Sequence, residues 1–176
     1  LTAAFGRAQL TKLDGYLETQ KENARLMTEA LQGTPHLILP TEPEGHEHIW
    51  YNYTIRFDLA ALGHEGNAGD FRGKLLNAMK AEGVATAVCQ SFILPAMTVF
   101  QAKNGYGKGC PWECPHSQPV DYSLHQYPVA QKHAESHTGM TVPLRAPNGR
   151  EAVEATAAGI RKVMENVSQV EENGIN

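Results

Sequence analysis

Between residues 3 and 32 the chain carries a continuous apolar stripe at helical spacing: Leu10, Leu13, Leu17, Ala24, Met27 and Leu31, with Gln20 at the one polar place between Leu17 and Ala24. Side chains three and four apart share one face of an α-helix. The pattern therefore predicts a single helix of roughly thirty residues, about 45 Å long. Gly33 and Pro35 end it, the first by admitting left-handed backbone and the second by lacking a backbone N–H. A helix that long exceeds the usual length in a small domain. It is expected to brace the fold or to lead in from another domain. It opens on Leu1 with no initiator Met, strand or capping residue before it, so the chain is expected either to be cut from something longer or to come from a gene read from the middle.

The remaining residues alternate between the two periodicities. Tyr51, Tyr53, Ile55 and Phe57 alternate with Asn52, Thr54 and Arg56, the signature of a half-buried strand over residues 50–57. Asp70 is placed to cap a helix over residues 71–82, and Gly83 stands where a terminating glycine belongs. Residues 84–89 read as a second strand. Pro128 suits the first turn of a helix over residues 128–137, and residues 139–144 read as a third strand. Asn148 with Glu151 resembles a capping box opening a last helix, whose Val153, Ala157, Ile160, Met164 and Val167 form one stripe. From Ser168 the chain turns polar and is expected to fray. The expected fold class is α+β, a long N-terminal helix followed by a small three- to four-stranded sheet covered by helices. Its expected division is a linking helix (1–33), an α+β domain (34–168) and a tail (169–176).

Composition narrows the partners. Fifteen basic and nineteen acidic residues give a net charge of −4 without a basic stripe, which argues against nucleic acid. No apolar run approaches the length of a membrane span. Three cysteines are too few for a disulfide scaffold of this size, so a reducing, cytoplasmic setting is expected.

The stretch 90–127 is long for a connection and holds Phe92, Phe100, Tyr106, Trp112 and Tyr122. Long connections of this kind serve function more often than spacing, and the aromatics argue for order. Phe92, Tyr106, Trp112 and Tyr122 are the substrate-side candidates, because flat aromatic faces stack on ligands; the equal alternative is that they simply pack the long loop onto the sheet. Cys110, Cys114 and His116 have the donor types of a zinc site, with His125 beyond. No second cysteine pair completes one, so two ordinary thiols in a packed loop are the expectation and no metal is assigned.

The order of elements and several local motifs resemble the C-terminal half of the DegT/StrS sugar aminotransferases, which have the aspartate-aminotransferase type of fold. That family opens its long helix on Ala-Ala-x-Gly-x-x-Gln-Leu-x-x-Leu-Asp, matched here by Ala3, Ala4, Gly6, Gln9, Leu10, Leu13 and Asp14. A strand flanked by His and aromatics and ending in arginine follows, similar to His48 through Arg56. Glu82-Gly83-Val84, Tyr127-Pro128-Val129-Ala130 and Gly159-Ile160-Arg161-Lys162-Val163 match later motifs, the last standing where the family carries Ala-Ile-x-Lys-Val. In a Pro-x-His turn typical of the family, Met97 stands at the histidine's place.

The resemblance implies the small domain of a fold-type-I pyridoxal-phosphate enzyme that aminates a keto-sugar or cyclitol. It also implies that the Schiff-base lysine, the phosphate-binding turn and the aspartate facing the pyridine nitrogen lie in a large domain before the Ala-Ala-x-Gly motif. This chain alone is then expected to bind no cofactor and to be inactive. Its expected partners are that large domain, a second copy of itself and a small sugar substrate. The alternative is a non-catalytic binding or dimerisation module, stabilised by zinc at Cys110, Cys114 and His116.

Overall fold

Among the described residues three antiparallel strands form the sheet in the order β1-β2-β3: β1 (Leu37–Ile38), β2 (Tyr53–Phe57) and β3 (His137–Met140). The computed structural model describes residues 1–64, 66–88 and 90–172. Alternation sets β2: Tyr53, Ile55 and Phe57 are buried while Thr54 and Arg56 are half-exposed. Its register places Tyr53 opposite Met140 and Arg56 opposite His137, and Leu37 opposite Phe57 on the other side. The segment expected to form another strand at 84–89 makes a single bridge instead. Ala87 and Gly139 exchange backbone hydrogen bonds of 2.9 and 2.8 Å, and Cys89 lies outside the described residues. The strand expected at 139–144 ends early because Val142–Leu144 turns into a short 3-10 helix, where Pro143 has no N–H for a ladder.

The expected single long helix is two, α1 (Thr2–Leu10) and α2 (Leu13–Leu31). At the break the Thr11 hydroxyl donates to the Ala8 carbonyl at 2.8 Å, and Lys12 N donates to Gln9 O at 3.0 Å. The tighter closure and the competing side chain interrupt the helical ladder. Tertiary packing does not correct it, since α1 buries none of its residues while α2 buries Asn23, Ala24, Leu26, Met27 and Leu31.

Helix α3 (Ala68–Ala81) starts three residues earlier than expected. Asn67, not Asp70, caps it, with the Asn67 Oδ1 accepting from Asp70 N at 3.0 Å. A short α4 (Thr98–Gln101) lies in the long loop, and α5 (Pro128–Ser136) precedes β3. Helix α6 (Arg150–Glu165) begins after Gly149 without a side-chain cap; Asn148 donates to Val142 O at 2.7 Å instead. Helix α7 (Val167–Glu172) occupies part of the segment expected to fray. Val167 and Val170, three apart, set one edge of it against the core, a contact hidden in the polar composition around them.

The core joins β2 to α2, α3 and α6 through Ala24, Met27, Leu31, Phe71, Leu75, Met79, Val153, Ala157, Ile160 and Met164. Thus α2 is part of the domain's own interior. Buried Asn23 ties it to the α6 approach, donating to Leu144 O at 3.1 Å and to Asn148 O at 3.0 Å. Gly159 lets α6 approach Val84: a β-carbon there would stand 2.6 Å from a Val84 methyl.

Candidate functional site

The long loop is built by its glycines and by a few side chains that close it on itself. Gly107 and Gly109 adopt positive φ of 86° and 72°, conformations that cost a glycine little and other residues more. Gly105 fits because a β-carbon there would lie 2.8 Å from Cys110 O and 3.0 Å from the Trp112 ring. Gln101 closes the base, its Nε2 donating to Pro95 O at 2.7 Å and to Tyr122 O at 3.0 Å.

These turns bring two of the four substrate-side candidates together. Trp112 Nε1 donates to the Tyr122 hydroxyl at 2.9 Å, and the two rings meet edge to face at 6.5 Å between centroids. Phe100 completes the group, 5.3 Å from Tyr122 and 6.3 Å from Trp112. Phe92 and Tyr106 stand apart, the latter 90% exposed. Phe100 was visible in sequence only as one more aromatic of the loop, since nothing in its spacing marks it as a partner of Trp112. Met97 is also exposed and directly precedes α4.

Beside this group Asp121 accepts hydrogen bonds from the Ser123 hydroxyl and from Ser123 N, which hold its carboxyl below the usual range; nearby His125 and Lys103 act in the same direction. His125 also lines an open groove of about 630 Å³ with Phe57, Leu59, Leu124, Lys132 and Ser136. Across the sheet edge His133 and His137 stack at 4.4 Å. Partial burial lowers the His133 pKa, and the nearby His137 and Arg56 lower it further.

Cys110 and Cys114 converge, with their sulfurs 2.8 Å apart. The shared hydrogen bond raises the Cys114 thiol pKa. His116 is exposed, and among the described residues no group of three His, Cys, Asp or Glu side chains gathers to hold a metal ion. Seven of the eight lysines are exposed, and the eighth, Lys21, is half-buried in an ion pair with Glu47. The arrangement thus offers flat aromatic faces and hydrogen-bonding groups for holding a ligand. No helix among the described residues is long and apolar enough to cross a membrane.

Comparison with curated proteins finds no match. Among solved structures, the putative sugar aminotransferase Spr1654 from Streptococcus pneumoniae, in its PMP form, aligns with a TM-score of 0.72 at 18% identity, covering 97% of this chain and 36% of that one. DesV of S. venezuelae, in complex with a ketimine intermediate, aligns with a TM-score of 0.67 at 18% identity, over 93% of this chain and 36% of its own. 3-Amino-5-hydroxybenzoic acid synthase aligns with a TM-score of 0.66 at 17% identity, over 91% and 37%. These likenesses establish the fold, and the chain spans little more than a third of each. A family model for the DegT/DnrJ/EryC1/StrS aminotransferases matches residues 1–138, and with most of its length accounted for in this way the chain belongs to that family.

Proposed function

We infer that this chain forms the small-domain side of a pyridoxal-phosphate aminotransferase acting on a keto-sugar or cyclitol in the cytoplasm, and that the amine holding the cofactor comes from a larger domain. The family match over residues 1–138 carries this reading. Bound pyridoxal phosphate supplies an electron sink that lets nitrogen pass between an amino donor and a ketone. Holding it requires an enclosed lysine and a carboxylate facing the ring nitrogen. The lysines here do not fit that role, being exposed or, for Lys21, paired with Glu47 on the surface. That is the support for placing the cofactor elsewhere.

On this reading residues 1–33 lead in from the larger domain, with α2 packed into the core of the small domain that residues 34–168 form, and Trp112, Tyr122 and Phe100 offer the ring platform for the sugar, with Phe92 and Tyr106 at its margin. Exposed Phe5, Leu10 and Leu13 are the surface that the larger domain or a second copy of the chain covers. The test is saturation-transfer NMR of the chain with a cyclitol ketone and with a nucleotide-linked keto-sugar. Transfer to the ring protons is expected from the wild type and lost in Trp112→Ala. Absence of transfer from the wild type, or equal transfer from the variant, refutes the platform.

A further inference from the structure

Cys110 and Cys114 are held together by backbone on both sides. Cys110 N donates to Gly107 O at 3.1 Å, and Cys110 O accepts from Tyr106 N at 3.0 Å. Glu113 N donates to Gly109 O at 2.8 Å, and Cys114 O accepts from both Ser117 N and the Ser117 hydroxyl, at 2.9 and 2.8 Å. Between these anchors the sulfurs stand 2.8 Å apart, within about 1 Å of the separation at which a disulfide closes. Both residues are only half-buried, so a small reagent reaches them. Among the described residues no third donor joins the two sulfurs, and structural zinc takes four ligands.

We propose that Cys110 and Cys114 form a reversible disulfide by exchange with a small-molecule disulfide such as oxidised glutathione, and that the bond locks the turn presenting Trp112. Cys110 attacks first, its thiol giving up a proton as it does so. Its sulfur bonds to one sulfur of the reagent and expels the other as a thiolate. Cys114, giving up its proton, then attacks the Cys110 sulfur and expels the second thiolate. The two protons lost by the cysteines end on the two released thiols. The cysteine pair is oxidised by two electrons, and the reagent is reduced by two. Pro111, Trp112 and Glu113 become part of a closed ring, which removes freedom from the Trp112 backbone. This chemistry stands independently of amino transfer.

The test uses the full chain carrying Cys89→Ser, which leaves these two thiols alone. The protein is equilibrated over a range of glutathione redox ratios, quenched in acid, alkylated and digested with trypsin. Both cysteines fall on the fragment spanning residues 109–132. The expected result is an unalkylated fragment about 2 Da lighter than its reduced form, rising with the oxidised fraction and reversed by dithiothreitol. Tryptophan emission should shift in step, and the shift should vanish in Cys114→Ser and in Cys110→Ser. Circular dichroism matching the parent shows that each variant has folded, and either folded variant suffices. Two alkyl groups persisting on the fragment at the most oxidising ratio overturn the proposal. So do glutathione adducts that never resolve, or about one zinc per chain lost on replacing Cys114.

Discussion

Replacing Gly159 with alanine tests how closely α6 is set against the segment that follows α3. Alanine in a helix interior gains about 1 kcal/mol over glycine through backbone entropy. Here its β-carbon would lie 2.6 Å from a Val84 methyl and 3.3 Å from Glu82 O. Val84 is 2% exposed and has no open space to move into, and the carbonyl belongs to backbone. Overpacking of this kind costs about 1–3 kcal/mol, so Gly159→Ala should destabilise by about 1 kcal/mol after the helical gain is counted. In a Val84→Ala background the offending methyl is gone. The same replacement should then stabilise by up to about 1 kcal/mol, a reversal of sign that measures the coupling between the two positions. Urea unfolding followed by circular dichroism at constant m-value reads all four proteins. If Gly159→Ala is more stable than the parent in the original background, the close approach is not the reason this chain carries glycine at 159.

Pyridoxal phosphate followed by borohydride should leave the chain's mass unchanged, and a stoichiometric adduct on one lysine would overturn the placement of the cofactor in another domain. His133 has a lowered pKa in the fold, so the unfolded chain takes up its proton first as pH falls. Its contribution to stability is therefore full above the ordinary histidine value of about 6.5 and declines as pH drops below it. The urea midpoint should accordingly fall less between pH 7.5 and 5.5 in His133→Gln than in the wild type, and equal losses would refute the attribution. Phe5, Leu10, Leu13 and Tyr16 are 67%, 65%, 44% and 47% exposed, and large apolar side chains left in water favour association. Light scattering at micromolar concentration should report a dimer or larger that Leu13→Glu shifts toward monomer; a monomeric wild type would show that the stripe needs no cover.

Periodicity made the α6 stripe and β2 legible because each buries one side against the same core. The break between α1 and α2 was not legible. Thr11 lies off the apolar stripe, and what releases it is the absence of packing on α1, a tertiary fact with no local signature. The two-residue β1 is too short to show a period, and Val84–Ala87 has strand-forming residues but one bridge to pair with. At the site, residue types marked Trp112 and Tyr122. Their meeting depends on turns at Gly105, Gly107 and Gly109 and on Phe100, which no spacing rule connects to either.

The Gln101 amide, bonded to both Pro95 O and Tyr122 O, gives the loop a consequence beyond its shape. By joining the two ends, it makes the residues between them an excursion that departs from and returns to nearly one point. The entropy of closing such an excursion grows only with the logarithm of its length, and these two ties at its base lie within the loop itself. Relatives can therefore exchange this segment for one of different length or chemistry while the scaffold beneath stays the same. A transplanted loop that keeps a glutamine at 101 and free carbonyls at both ends should fold on this scaffold as a cassette.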